Sequence, residues 1–261
     1  MAKGRIVPKI SVSVTTKSNL FIGGSPATFE IGGVDLFTVT NAKGLPYIPG
    51  SSLKGVMRHM VRELISSNPS EQPDDELRVL VNEINQWYKG YLQKVALEQE
   101  EQLTLLNIEN ERKERAVRRM QDAIDCASAE YLFGIEGFND TPKLLFNDLL
   151  VVSAESVADR DALFSVDTKN KIEDVQIKNR EHIVANPRSY RVVRPGVTFV
   201  GDIILYRFEL LGNASKQQKI IEFIERLLLQ FNEGIYRLGN SGSRGYGRVQ
   251  VDIIKEEVQL G

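Results

Sequence analysis

Gly44-Leu-Pro-Tyr-Ile-Pro-Gly50 and the residues that follow, Ser51-Ser52-Leu53-Lys54-Gly55, set the frame for reading the whole chain. Proline and glycine punctuate the first stretch as a loop. Ser51 or Ser52 then offers a side-chain oxygen to orphan N–H groups and can cap a helix. Leu53, Val56, Met57, Met60, Val61, Leu64 and Ile65 recur at helical spacing and form its apolar stripe. Lys54, Arg58 and Arg62 fall four apart and line another face.

Upstream, Ile10 to Val14 alternates apolar and polar residues, the period of a half-buried strand. A glycine-rich segment, FIGGSPATFEIGGVD, runs from Phe21 to Asp35. Downstream, Ser67 to Pro73 breaks the helical pattern, and Asp74 to Ala127 reads as two or more helices. The first of these has a stripe of Leu77, Val81, Ile84, Trp87, Tyr88 and Tyr91. Lys143 to Ser153 is one strand or two short ones. Phe164 to Pro195 is polar and basic without a clear period. Val197 to Leu210 is a long alternating strand, and Lys216 to Phe231 an amphipathic helix. A glycine-rich loop, Gly239 to Gly247, leads into a last strand at Arg248 to Ile254.

Residues 67–127 read as a helical insertion between a first part, 1–66, and a remainder, 128–261, that includes a segment at about 164–196. Without the insertion the order is β–α–β–β–α–β, an α+β arrangement of the ferredoxin-like (RRM-like) kind shared by many RNA-binding domains.

The 261 residues are 42% hydrophobic, enough to bury a real core. Net charge is only −2, so any nucleic-acid binding must rest on local concentrations of positive charge. The single cysteine, Cys126, excludes an intrachain disulfide and a cysteine-based zinc site, and fits a reducing compartment. His59 and His182 are the only histidines, so a metal would have to sit on carboxylates, carbonyls or phosphates. Met1 to Ile10 lacks the apolar run of a signal peptide, and no apolar stretch is long enough to cross a bilayer. A cytoplasmic protein with no membrane partner is the expectation.

Four segments can carry chemistry. The helix start at Gly50 to Gly55 joins N–H groups, the positive dipole end, Lys54 and Arg58, which suits a phosphate. It is equally an ordinary capped helix, and the P-loop spacing is absent. Gly239-Asn-Ser-Gly-Ser-Arg-Gly-Tyr-Gly-Arg248 is a possible anion nest, where Arg244 and Arg248 can grip phosphates and Tyr246 can stack on a base. The bland alternative is a flexible loop before a strand. Lys169 to Arg194 gathers Lys169, Lys171, Lys178, Arg180, Arg188, Arg191 and Arg194, diluted by Glu173, Asp174 and Glu181. This is either an RNA contact or a solvated hairpin. Asp35, after Gly32-Gly33-Val34, reads by itself as a turn residue. His59 reads as a surface helix residue, and His182 as a possible RNA contact. The acidic insertion is better suited to a protein neighbour, or to packing on its own core, than to RNA.

Together these segments resemble the RAMP superfamily (repeat-associated mysterious proteins). Gly44 to Gly55 followed by Arg58, and Gly242-Ser-Arg-Gly-Tyr-Gly-Arg-Val249, look like its two signatures. Tyr131-Leu-Phe-Gly134, and Ala185-Asn-Pro-Arg188 followed by Arg194-Pro-Gly196, resemble the backbone subunit of type III-A CRISPR interference complexes. The resemblance implies that copies stack in a helical filament along a guide CRISPR RNA, beside other type III subunits. A thumb-like hairpin from each copy kinks the guide–target duplex. Target RNA is then cut at regular intervals through its own 2′-OH, with a divalent metal ion (Mg or Mn).

The same resemblance puts the cutting role on Asp35. It puts guide phosphates on Ser51, Ser52, Lys54, Arg58, Arg244 and Arg248, and Lys178, Arg180 and Arg188 near the thumb. Two departures stand out. Thr38-Val-Thr-Asn41 occupies the stretch where the family often has an Arg-Asp pair, and Lys178-Asn179-Arg180 replaces Ile-Asp-Arg. The rival readings are a catalytically inactive structural guide-binding subunit, a metal-independent, histidine-based endoribonuclease that processes precursor guide RNA, and a protein-interaction module built around the insertion.

Overall fold

The structure is a computed structural model. It describes residues 8–24, 34–66, 76–105, 110–152, 157–177 and 180–255, with the backbone alone for 103–105, 157–159, 170–177 and 180–186. In chain order the strands and helices are β1 (Lys9–Thr16), β2 (Leu36–Phe37), β3 (Tyr47–Ile48), α1 (Gly50–Ser66), α2 (Glu76–Leu105), α3 (Asn110–Asp125), β4 (Lys143–Phe146) and β5 (Leu149–Val151). There follow α4 (Val157–Ala162), β6 (Phe164–Ile177), β7 (Arg180–Val193), β8 (Thr198–Tyr206), α5 (Ala214–Leu229) and β9 (Val249–Ile254). The fold is α+β, and its main sheet is antiparallel.

The chain divides into two compact units. The first takes the described residues within 1–10, 57–146 and 203–228. Residues of the 67–127 segment share this unit with the later part of α1, β4 and α5. In α2, Val81, Ile84, Tyr88 and Leu92 recur three and four apart and are all buried, whereas Leu77, Trp87 and Tyr91 are only half-buried. Leu92 clusters with Met120, Ala123 and Ile124 of α3. Removing each such side chain from water contributes roughly 1.5–3 kcal/mol. Polar groups buried alongside them are satisfied: the Tyr88 hydroxyl donates to the Pro142 carbonyl at 2.9 Å, and the Ala129 N–H donates to Asn85 Oδ1 at 2.6 Å. Helix α5 turns Ile220, Phe223, Ile224, Leu227 and Leu228 inward.

The second unit takes the described residues within 11–56, 147–202 and 229–261. Its main sheet has the order β3-β5-β8-β1-β9. Strand β1 alternates from Val12 onward, with Val12, Val14 and Thr16 buried and Ser13 and Thr15 half-buried, whereas Ser11 is buried and donates to Asp202 at 2.6 Å. Its Val14 lies across from Val251 of β9. Outside Val251, Asn232 donates its amide N–H to the Val251 carbonyl at 3.0 Å and accepts the Val251 N–H at 2.7 Å.

A second sheet has the order β2-β7-β6. Strands β6 and β7, 14 residues each, pair without interruption from Phe164↔Val193 to Ile177↔Arg180. At ~3.4 Å per residue the hairpin reaches ~45 Å. The apolar–polar alternation that marks β1 is missing here: at the root the consecutive Val192 and Val193 are both buried, while Val166 is openly exposed.

Candidate nucleic-acid interface

Asp35 sits immediately before β2, where that strand runs parallel to β7. Its N–H donates to the Ser189 carbonyl at 3.0 Å, and its Oδ2 accepts the Ser189 N–H at 2.6 Å. The two bonds fix the carboxylate at the root of the hairpin while the residue stays exposed. On the other side of β7, the register places Tyr190 across from Asp167 and Arg188 across from Lys169. Tyr190 and Leu36 pack on a small buried cluster of Phe21, Val192 and Tyr246. The loop after β1, the hairpin root and the glycine-rich loop therefore converge in one place.

The glycine-rich loop is tightly built. Gly239 and Gly247 have φ values of +74°, a region costly to any residue with a Cβ. A Cβ at Gly247 would lie 2.0 Å from the Leu238 carbonyl oxygen, and one at Gly239 would lie 2.3 Å from that of Phe21. The expected nest of exposed N–H groups is largely closed by the chain's own carbonyls. The N–H groups of Asn240, Arg244, Gly245 and Gly247 donate to the carbonyls of Phe21, Ser241, Gly242 and Asn19 at 2.8–3.1 Å. Arg244 and Arg248 are exposed at its surface.

Tyr246, read in sequence as a base-stacking residue, is buried at 4% exposure. Its hydroxyl donates to Asp167 Oδ2, and the Lys169 ammonium lies over its ring, 3.1 Å from the centroid. A base could stack on that face only after Lys169 moved. Burial and the bond to Asp167 push the Tyr246 phenol well above its ordinary value. Burial also pushes the Lys169 ammonium below its ordinary value, Asp167 opposing the shift and Arg244 adding to it.

Helix α1 starts one residue before the expected cap. Its Gly50 N–H donates to Asp148 Oδ1 at 2.8 Å, so Asp148, between β4 and β5, caps the helix rather than Ser51 or Ser52. The carboxylate takes one of the N–H groups that the helix start would otherwise offer to an anion. Ser51 is exposed, and Ser52 and Lys54 are half-buried.

In the first unit, the Arg58 Nε donates to Glu130 Oε2 at 3.1 Å, and the Arg62 Nε to the same carboxylate at 2.8 Å. Burial raises the Glu130 carboxyl, the hydrogen bonds from Arg62 and Arg58 lower it, and the net shift is downward. His59 pairs with Glu63 at 3.2 Å on the exposed side of the helix, as a surface residue. Lys178 lies outside the described residues. Arg180 and the second histidine, His182, are described by backbone alone, at the far end of β7.

Sequence reasoning left Lys169 among the general basic residues and missed Asp148, Glu130 and Asp167, whose partners meet them only in space. Among the described residues no group of three His, Cys, Asp or Glu side chains could hold a metal. Asp35 offers one carboxylate oxygen beyond the one bonded to Ser189. A single carboxylate oxygen is a hard donor of the kind Mg²⁺ or Mn²⁺ takes, but it does not make an all-protein cage, and further oxygen ligands would have to come from outside the chain. Nor is any described helix long and apolar enough to cross a membrane.

Comparison with known proteins supplies the frame for this geometry. The chain is 24% identical over 268 positions to the CRISPR system Cms endoribonuclease Csm3 of Methanocaldococcus jannaschii, covering 97% of this chain and 81% of that protein. It is 36% identical over 73 residues to the protein of the same name from Streptococcus thermophilus, a match spanning 28% of this chain and 33% of that one. Among solved structures, a chain of the type III-B Cmr-beta complex bound to cognate target RNA aligns with a TM-score of 0.45 and 17% identity, covering 95% of this chain and 60% of the other. Cmr6 from Pyrococcus furiosus aligns with a TM-score of 0.40 and 18% identity, covering 94% and 99%. The model of the RAMP superfamily matches residues 13–250, from β1 through the glycine-rich loop into β9, and on that match the chain belongs to the RAMP superfamily.

Proposed function

We propose that this chain is a guide-RNA-binding backbone subunit of a type III CRISPR interference complex, serving antiviral defence in the cytoplasm, and that it cuts bound complementary RNA at Asp35. The observation that carries this reading is the placement of Asp35, exposed yet anchored by Ser189 at the root of a long hairpin. Its support from kinship is a match along 97% of the chain to a protein named as a CRISPR endoribonuclease. The strand order β9-β1-β8-β5 supports a ferredoxin-like frame.

In this reading the hairpin enters the guide–target duplex and kinks it. The kink aligns the 2′-OH of one target nucleotide with the neighbouring phosphorus, and much of the acceleration is positioning. Asp35, through the oxygen not bonded to Ser189, accepts the 2′ proton. The 2′ oxygen bonds to phosphorus, the bond to the 5′ oxygen breaks, and that oxygen takes a proton from water, leaving a 2′,3′-cyclic phosphate. Bound beside Asp35 and the RNA phosphates, a divalent ion would supply charge neutralisation. Ser51, Ser52, Lys54, Arg58, Arg244 and Arg248 hold guide phosphates, and Lys178, Arg180 and Arg188 act along the hairpin. Other copies of the chain and other type III subunits are its protein partners.

A second reading has one observation in its favour. The Asp35 carboxylate is already engaged in a structural bond, accepting the Ser189 N–H across to β7, and no acid cluster surrounds it among the described residues. The chain is then a scaffold that grips guide RNA without cutting. The deciding experiment offers a guide-complementary RNA to the assembled complex, with wild-type chain or Asp35→Ala, with and without chelator. Regularly spaced cuts that fall at least about 100-fold with the substitution, while target binding persists, support the nuclease. Uncut RNA in the wild-type complex selects the scaffold.

A further inference from the structure

We infer that Lys169, Arg188 and Arg244 form a phosphodiester-binding site at the root of the hairpin, in which Lys169 rests over the Tyr246 ring until an RNA phosphate takes its ammonium. This rests on the RNA-binding function proposed above and deepens it, by naming a residue and a place.

The Lys169 Nζ is buried and has no hydrogen-bond partner. Burying an ammonium without a partner is costly, and an aromatic face recovers only part of the lost hydration. The neighbouring carboxylate compensates only in part: Asp167 stabilises the ammonium through its charge, but it makes no hydrogen bond to Lys169 and its Oδ2 accepts the Tyr246 hydroxyl. Arg188 lies directly across the strand pair from Lys169, and like charges in that position repel. Arg244, brought in by the glycine-rich loop, adds to the same positive field. Among the described residues neither Arg188 nor Arg244 has a side-chain acid partner.

Three cations from three separate chain segments thus share one nearby carboxylate, Asp167, and leave the RNA-free site net positive. A bridging phosphate would offset that charge through charge-assisted bonds. The site also adjoins the cutting residue: Arg188 and Ser189 are consecutive on β7, and Ser189 is the anchor of Asp35. RNA gripped by the first is presented to the second.

The test uses the full chain and a labelled synthetic single-stranded RNA, with affinity measured across a salt series and thermal melts taken without RNA. Wild type, Lys169→Met and Lys169→Arg are compared. Methionine keeps the apolar stem and removes the charge. The expected result for Lys169→Met is a melting temperature equal to or above wild type, RNA binding weakened several-fold, and a salt slope lowered by about 0.7, one phosphate contact on a single strand. Lys169→Arg should restore the slope. An unchanged slope in Lys169→Met, whatever its melting temperature, overturns the site and leaves Lys169 as packing against Tyr246. If the wild-type chain itself binds RNA without salt dependence, the RNA-binding function fails together with the site.

Discussion

Arg58 and Arg62 in the first unit share the Glu130 carboxylate through direct hydrogen bonds, whereas Lys169, Arg188 and Arg244 in the second unit stand together near one acid, Asp167, whose hydrogen bond goes to the Tyr246 hydroxyl. A count of basic residues does not separate these two sets. What separates them is compensation. The first set is half neutralised within the fold, two guanidiniums sharing one carboxylate by direct hydrogen bonds, so part of its charge is already used. The second set has no direct ion pair among the described residues, with Asp167 alone nearby, and is therefore more available to a polyanion. Positive charge becomes evidence of binding only after its intramolecular partners have been subtracted.

The comparison can be attacked first through the loop that delivers Arg244. Gly247→Ala places a Cβ against the Leu238 carbonyl at positive φ, and should cost about 3 kcal/mol or more, measured by denaturant unfolding. Gly245→Ala has the same sign of φ but open space around the new methyl group. It should cost about 1 kcal/mol, a drop in melting temperature of roughly 2–4 °C. Equal costs at the two positions would show that the loop is not held by close backbone contact.

Next, Arg188→Ala with Arg244→Ala should lower the salt slope of RNA binding by about 1.4, twice the single-strand value per contact. Arg58→Ala should lower it by less, because part of the Arg58 charge is already met by Glu130. Equal slopes for Arg58→Ala and Arg244→Ala would erase the distinction between the two sets.

The smallest effect belongs to Glu130→Gln. The folded state lowers the Glu130 carboxyl below its ordinary value. Its contribution to stability is therefore present above the unfolded-state value and is lost as pH falls through the folded one. The variant should be slightly less stable near neutrality and should lose less on acidification than wild type, read as melting temperature against pH. It should also bind RNA slightly more tightly, since Arg58 and Arg62 are released. Weaker RNA binding would mean that Glu130 holds the arginines in a binding-competent pose.

Much of the frame is legible in the residue pattern. The stripe beginning at Leu53 and continuing through Met57, Met60 and Val61 is buried as its spacing implies, although Ile65 at the end of the helix is exposed. Strands β1, β8 and β9 show in their alternation, and Lys143 to Ser153 does split into two short strands. The hairpin was legible by resemblance rather than by period, because its apolar residues follow no regular alternation. Motif reading also brought Asp35, Arg188 and Arg244 forward, and they do lie on one sheet root and the loop beside it.

It had no access to pairings across long sequence separations. Glu130 is 72 residues from Arg58, and Asp148 is 98 residues from Gly50. Each changes the meaning of a motif: an acid caps the helix assigned to phosphate, and an acid masks the arginine assigned to the guide. Tyr246 failed for a related reason. A tyrosine among glycines looks exposed, yet these glycines serve to bring the backbone close and turn the ring inward.

Strand β9 ends the main sheet, and the outermost strand of any sheet presents unpaired amides that invite pairing with another molecule. Asn232 imitates one residue of a missing neighbour strand, donating to and accepting from Val251. At the opposite end, β3 is only two residues long and offers little to extend. A chain proposed to assemble with copies of itself through a shared nucleic acid must not also polymerise edge to edge. The one carboxamide at position 232 blunts that competing route, so exchanging it for an apolar residue would register as precipitation during expression before it registered as any defect in RNA handling.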